Sequence, residues 1–308
     1  MAQISHVDPD ILILANIDYD HGHAALTELN AQLAETIAPY PHRFTARPNT
    51  GLSTPFDIDG DGRTGRPRDA QGYGLFSGDG GMAILSRKPI LSDQIRDLST
   101  ILWKDLPDAR LPQTGNQPFF SEDILNVQRV STTAHWIIPI DAGPRTIELL
   151  VFHASPPVFD GPEDRNGLRN ADEIRLWQLF LNGKLPEKPA HPVILSGVVN
   201  LDPVDGQGRK KAIHDLLAHP SLQDPEPRSD GGKAAADLDH RGDPALDTAD
   251  WPDGDPGNLR VDYILPDRSL TVENAGIFWP DPLPPDLFGE DGQAAGPHRI
   301  VWVDLKLP

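Results

Sequence analysis

The stretch PPVFDGPEDRNGLRNADEIRLW, residues 156–177, has two halves. The first is rich in turn residues, and in the second apolar residues recur at helical spacing. With the five residues that follow, it predicts an amphipathic helix over 169–182. Its arginines, Arg165, Arg169 and Arg175, stand among five acidic residues. They either grip a phosphate group or form a charge network that braces the loop against the helix. The near balance of charge favours the network.

Apolar runs on both sides of this stretch predict buried strands. Residues 145–154 precede it and pair with 131–140 through the turn sequence DAGP, while 191–203 follow it. Further strands are predicted at 11–15, 80–90, 258–267, 270–279 and 298–307, and a further helix at 23–37. Strands outnumber helices, and the helices fall between strands. This order predicts an α/β protein with two packed sheets, formed by residues 1–308 as one domain.

Two long polar segments interrupt this pattern. Residues 46–78 form a predicted loop, and residues 203–258 are rich in proline, glycine and aspartate. Such segments are typical of surface loops, so both are predicted to be insertions in the domain.

The first insertion contains DIDGDG, residues 57–62, which resembles the start of an EF-hand calcium loop. Asp57, Asp59 and Asp61 occupy loop positions 1, 3 and 5, and a glycine occupies position 6. Position 12 is Arg68 where calcium loops have Glu. A calcium site at the three aspartates and a turn-rich loop without metal are therefore alternative interpretations.

Composition excludes some classes of site and disfavours some partners. The 308 residues include no cysteine, which excludes disulfides and thiolate metal sites. The formal net charge is −19, so nucleic acid is a poor partner unless a local basic face offsets the repulsion. The chain as given lacks a signal peptide and any apolar run near the ~18 residues that span a bilayer, so no membrane partner is expected.

Four ordered segments carry a resemblance to a known superfamily: a strand ending in NIDYD, FHASPP, ILSGVVNLDP, and RVDYILPD followed by GPHRIVWVDL. Together with residues 156–177 they resemble the endonuclease/exonuclease/phosphatase superfamily, in particular a bacterial branch. The resemblance implies a DNase I-like α/β fold, a four-layer sandwich of two packed mixed β-sheets flanked by helices. It also implies hydrolysis of phosphoric esters with Mg²⁺ or Mn²⁺.

The resemblance also implies site residues, and four of them are present. His153 ends a strand, Asn200 matches the Asn of a GDxN turn, Asp262 matches the family's histidine-orienting Asp, and His298 matches the catalytic histidine near the C-terminus. Hydrolysis of a phosphoric ester gathers negative charge, which hard cations, imidazolium donors and a general base neutralise.

Three other positions depart from the family pattern. The metal-binding Glu of an early strand is replaced by Asn16, the Asp of the GDxN turn by Val198, and the Asp before the final histidine by Pro297. Valine and proline side chains offer no charge and no lone pair. We therefore expect the usual mechanism to be impaired and Mg²⁺ or Mn²⁺ to bind weakly or not at all.

The family pattern begins with a strand ending in a catalytic Asn, and the chain starts too late to include it. Either the native start lies upstream of Met1, with an extracytoplasmic location then possible, or the sheet lacks this strand. A metal moved onto Asp18 and Asp202, two residues beyond Asn16 and Asn200, is the conceivable rescue.

Two functions remain open at this stage. The first is a phosphoric ester hydrolase with a residual site, acting on a phosphorylated small molecule or a phosphodiester. The second is a non-catalytic binding protein on the same fold. The three replacements favour impairment of the mechanism, while the intact scaffold and two histidines keep catalysis open.

Overall fold

The computed structural model describes residues 1–254, 256–289 and 296–306. Fourteen strands lie in these ranges: β1 (Ile11–Ile17), β2 (His42–Phe44), β3 (Gly81–Ser86), β4 (Arg96–Asp97), β5 (Gln113–Thr114), β6 (Gln117–Pro118), β7 (His135–Asp141), β8 (Thr146–His153), β9 (Val193–Val198), β10 (Ala249–Asp250), β11 (Asn258–Leu259), β12 (Asp262–Pro266), β13 (Thr271–Phe278) and β14 (Ile300–Lys306). The helices are α1 (Ala2–Val7), α2 (Ala24–Leu33), α3 (Glu122–Leu125), α4 (Arg165–Leu181), α5 (Lys211–Leu217), α6 (Asp230–Ala234) and α7 (Pro285–Phe288).

The larger sheet has five strands in the order β12-β9-β8-β7-β4. Strands β7 and β8 form the predicted antiparallel hairpin. Strands β8 and β9 are parallel, because the chain between them crosses over through α4. Strand β12 is antiparallel to β9, which brings the start of β12 to the same edge as the ends of β8 and β9.

The smaller sheet is antiparallel, in the order β1-β3-β2, and β13 and β14 form a separate two-stranded ribbon. Within the described ranges, β1 has a ladder partner along one edge only, and so has β14. The expected loss of the family's first strand stays a prediction.

Alternation along the strands divides the apolar residues into three layers. The layer between the sheets includes Met82, Ile84, Trp136, Leu149 and Val151, all nearly inaccessible to solvent. A second layer packs the five-stranded sheet against α4 and α5, and a third packs the small sheet against α2. Helix, sheet, sheet and helix therefore form four layers, as the fold prediction stated.

Helix α4 begins at Arg165, four residues before the predicted start. Its first turn carries an arginine, an asparagine and a glycine, so the apolar period becomes visible only later. The carboxylate of Asp160 accepts a hydrogen bond from the backbone N–H of Asn166 and so satisfies one open donor of that turn.

Residues 203–258 are more than a surface insertion, which corrects the expectation for this segment. It contains α5 and α6, and Ile213, Leu216, Thr248 and Ala249 within it are fully buried. Aspartate, glycine and proline mark its turns, but the segment still supplies packing residues. The end of the last predicted strand, residue 307, lies outside the described residues.

The arginines of the opening stretch bond to protein groups. Arg169, 9% exposed, donates to the carbonyl oxygens of Val130 and Ser131 and to two others at 2.6–3.1 Å. Arg165 donates to a backbone carbonyl, and Arg175 donates to Asp172. These contacts support a structural charge network over phosphate binding as the role of the arginines.

None of the helices in the described part of the chain is long and apolar enough to cross a lipid bilayer.

Replacing Arg169 by Met is expected to destabilise the fold by about 3 kcal/mol, because buried carbonyl groups lose their donors. Urea denaturation monitored by tryptophan fluorescence measures this loss. Arg209→Met is the matched control: Arg209 pairs with Asp164 in an exposed ion pair, worth below about 1 kcal/mol. Equal losses in the two variants would contradict the assigned role of Arg169.

Candidate functional site

Two of the predicted site residues, with Val198 between them, lie side by side at one end of the larger sheet. His153 ends β8 and is level with Val198 of β9, which is level with Asp262 of β12. Residues directly opposite on neighbouring strands point to the same face. That face is the inter-sheet side, because Val151 and Ile194 on the same strands belong to that layer.

His298 joins this group from the segment before β14. Its Nδ1 lies 2.9 Å from Oδ2 of Asp262, within hydrogen-bond distance. The backbone holds the histidine in place, since residue 298 bridges to Ala249 of β10. The pair required by the resemblance is therefore present in the fold.

Thr248 is a member of this group that sequence reasoning missed. It is fully buried, and its Oγ1 donates to the same Oδ2 of Asp262 at 2.8 Å. The hydroxyl oxygen accepts the backbone N–H groups of Val261 and Asp262, both at 3.0 Å. The acceptor side of the hydroxyl is thereby occupied, and its proton is directed at the carboxylate. No sequence signal distinguishes this threonine from other polar residues of a long loop.

Trp251 is the other missed neighbour. Its ring meets the imidazole of His298 edge-on, with the centroids 5.2 Å apart and the planes at 84°. This geometry is a favourable aromatic contact. The indole therefore forms one wall beside the histidine.

The two histidines have opposite protonation tendencies. Burial lowers the pKa of His298, but the charge and hydrogen bond of Asp262 outweigh it, so the pKa lies above the usual 6.5. Burial, with the nearby charge of His298, lowers the pKa of His153 to about 4. Asp262 therefore favours the cationic form of His298, and burial favours the neutral form of His153.

Asn200 lies just beyond β9 in the left-handed backbone region, with φ 54°. Its Nδ2 donates to the carbonyl of Ala154 at 2.8 Å, and its backbone N–H donates to Val261. These bonds attach the turn to the neighbouring strand ends, next to His153 and Asp262. Asparagine tolerates this backbone conformation better than most residues.

Asn16 is the extra residue of a β-bulge in β1. Ala15 and Ile17 pair with successive residues of β3, and Asn16 between them is exposed, with φ 56°. Its Oδ1 lies against Gly80. No hydrogen bond between described residues links Asn16 to the His298 group. The positive φ of the bulge thus explains why asparagine suits this position.

The carboxylates considered for a moved metal site already bond to the backbone. Asp202 accepts the N–H groups of Val204, Asp205 and Arg260, so both of its oxygens are used. Asp18 accepts the N–H of Gly80 at 3.0 Å. Their positions indicate turn stabilisation, and they do not support the proposed rescue.

The aspartates of the DIDGDG loop do come together. Ligand oxygens of Asp57, Asp59 and Asp61 lie within 4.8 Å of one another. Asp57 also accepts the N–H groups of Gly60, Asp61 and Gly62, and Arg68 approaches Asp59 to 4.0 Å. Calcium at these residues stays a prediction.

Comparison with known proteins assigns the chain to a family. The model of the Endonuclease/Exonuclease/phosphatase family matches residues 1–284. The chain belongs to this family. The resemblance read from the motifs is therefore confirmed, as is the DNase I-like fold class.

Solved structures of the same family show the same fold at low sequence identity. An endonuclease/exonuclease/phosphatase from Beutenbergia cavernae has a TM-score of 0.56 and 15% identity, over 99% of this chain and 64% of the other. A family protein from Leptotrichia buccalis has a TM-score of 0.52 and 15% identity, over 99% of this chain and 90% of the other. A comparison with curated protein sequences finds no significant match.

The family typically uses divalent metal ions. The residues around His298 do not fit an Mg²⁺ or Mn²⁺ site, since such ions need several oxygen ligands. Val198 is a buried hydrocarbon, and the ring of Pro297 offers no ligand atom. The Oδ2 atom of Asp262 is already engaged by both His298 and Thr248.

Replacing Asp262 by Asn is expected to lower the pKa of His298, because burial and Arg299, which both lower it, then act alone. Titration of the imidazole C–H signals by NMR measures this change. His153 should titrate near pH 4 in the natural protein. A pKa of His298 unchanged by Asp262→Asn would show that the contact does not operate in solution.

Proposed function

We propose that this chain binds a phosphoric ester at the edge formed by His153, Asn200 and His298, and that its metal-dependent hydrolysis is impaired. In its protonated form, which Asp262 favours, the imidazole of His298 supplies a charged hydrogen-bond donor for a phosphoryl oxygen. Asp262 holds this ring through Nδ1, which leaves Nε2 for the ligand. Family membership supports the choice of a phosphoric ester.

The observation that carries the impairment is the position of Val198. Its side chain lies between His153 and Asp262 on the same face of the sheet and is 8% exposed. An apolar group there can neither hold a cation nor orient a water molecule. The charge that develops during phosphoryl transfer thus lacks a stabilising partner at this point.

His153 and His298 define what chemistry remains. Neutral His153 can accept a proton, and cationic His298 can donate one, at pH values between their two pKa values. Slow hydrolysis by this pair is the residual activity we expect. It uses only residues that the structure brings to one edge.

A non-catalytic binding protein is the second candidate. It is favoured by the combination of Val198 and Pro297, which removes carboxylates while His153, Asn200 and Asp262 keep their contacts. A fold that retains the anion-binding groups and loses the activating ones suits a binding role. The net charge of −19 favours a small phosphorylated ligand over nucleic acid in either case.

Turnover of aryl phosphates, phosphodiesters and plasmid DNA is expected near background with Mg²⁺, Mn²⁺ or Ca²⁺. Val198→Asp combined with Pro297→Asp should raise it at least ~10-fold, since loss of one stabilising group commonly costs ~10²–10³ in rate. The triple variant with Asn16→Glu is a separate arm, because glutamate strains the left-handed bulge. Initial rates with each metal measure the effect.

Binding is measured independently of turnover. Inorganic phosphate is expected to shift the His298 imidazole signals in the natural protein, and the signals of exposed His21 serve as the control. His298→Ala should abolish the residual activity. Robust natural turnover that depends on His298 would contradict the proposed impairment, and no phosphate response at His298 would contradict the proposed site.

A further inference from the structure

A second group of ionisable side chains lies behind Thr248, in the segment between β9 and β12. His240 Nε2 is 3.5 Å from Oδ2 of Asp205 and 3.5 Å from Oδ2 of Asp247. The side chains are 6%, 12% and 2% exposed, in the order His240, Asp205, Asp247. This group is separate from His298 and Asp262 and plays no part in the proposed function.

The group contains polar atoms without partners. His240 Nε2 and Asp247 Oδ2 are both buried and form no hydrogen bond. Side chains more than nine-tenths buried normally satisfy such atoms, because desolvating them is costly. Here two unsatisfied ligand atoms point toward each other across a gap that is too long for a good hydrogen bond.

The group is also crowded with carboxylates. Those of Asp202, Asp205, Asp237 and Asp243 act on Asp247. The nearby arginines are committed elsewhere, Arg260 to Asp224 and Arg228 to Asp243. In the part of the chain that the structure describes, no Lys or Arg side chain lies within 4.0 Å of the carboxylate of Asp205 or Asp247.

We propose that His240, Asp205 and Asp247 bind a divalent transition-metal ion, for which Zn²⁺ is the probe. Two ligand atoms on bonds of ~2.1 Å at a tetrahedral angle are ~3.4 Å apart, close to both observed separations from Nε2. An imidazole with two carboxylates favours Zn²⁺ and similar ions over Mg²⁺ and Ca²⁺, which prefer oxygen ligands alone.

Glycine leaves room beside the ligand atoms. A methyl group on Gly242 would lie 3.0 Å from Asp205 Oδ2 and 3.5 Å from His240 Nε2. The backbone N–H of Gly242 donates to the same Oδ2 at 2.8 Å and fixes the orientation of Asp205. One ligand is thus held by the backbone, and the site is open at the glycine.

Binding requires the group to close, because one ion on bonds of ~2.1 Å spans at most ~4.2 Å between two ligand atoms. Apart from the Asp57, Asp59 and Asp61 group, no three such ligand atoms in the described ranges lie within 4.8 Å of one another. The oxygens of Asp205 and Asp247 therefore close on the ion from two sides of His240. Asp247 is the ligand that moves, because its carboxylate accepts no hydrogen bond from a described residue.

Titration calorimetry of the metal-free protein with Zn²⁺ tests the proposal. Excess Ca²⁺ is present throughout to compete for the Asp57–Asp61 loop. One ion should bind at this group, and His240→Ala and Asp247→Asn should each weaken it at least ~10-fold. Asp243→Asn, an exposed carboxylate of the same segment, and His298→Ala should leave it unchanged.

Thermal unfolding separates loss of binding from loss of folding. Asp247→Asn removes a buried carboxyl group whose Oδ2 has no hydrogen-bond partner, so without metal it should melt no lower than the natural protein. Zn²⁺ should raise the melting temperature of the natural protein and of Asp243→Asn, but not that of Asp247→Asn. Equal Zn²⁺ affinity in natural protein and Asp247→Asn, or no Zn²⁺ binding at all, would overturn the proposal.

Discussion

The site depends on the buried polar side chains on one face of α4, which bond to backbone groups near the ends of the strands. Strands that end inside a domain leave backbone groups without ladder partners, and these groups are costly to bury. Asn170 donates to the carbonyls of Ser155 and Val199, beyond the ends of β8 and β9. Glu173 accepts the N–H groups of Thr132 and Ser155. One helix thus supplies hydrogen-bond partners for backbone groups of three chain segments next to the sheet.

This constraint explains why the site geometry survives the replacements at Val198 and Pro297. His153 and Asn200 are positioned by the backbone of β8 and β9, which α4 holds from the opposite face of the sheet. Asp262 is held by Thr248 and by the ladder with β9. None of these contacts uses a metal ion, so the pair of Asp262 and His298 persists independently of the missing carboxylates.

Most of the fold, but only part of the site, could be predicted from the sequence. Apolar runs and the 3.6-residue period located the long strands and α4, because burial on one face selects such patterns. The roles of Thr248 and His240 could not be predicted, because they arise from contacts between residues distant along the chain. The motif indicates a replaced metal ligand at Asn16, and the structure adds that this residue lies in a bulge with positive φ, which a motif does not display.

The presence of valine at position 198 also has a physical explanation. Several carboxylates crowded at one buried edge repel one another and pay for their desolvation unless a cation binds there. At the His298 edge the carboxylate of Asp262 is paired with an imidazole, and hydrocarbon fills the adjacent strand position. Around Asp247 the chain keeps several carboxylates and leaves ligand atoms unsatisfied. The carboxylates without a bonding partner therefore lie in the segment behind Thr248, away from the edge where the family pattern places its metal ligands.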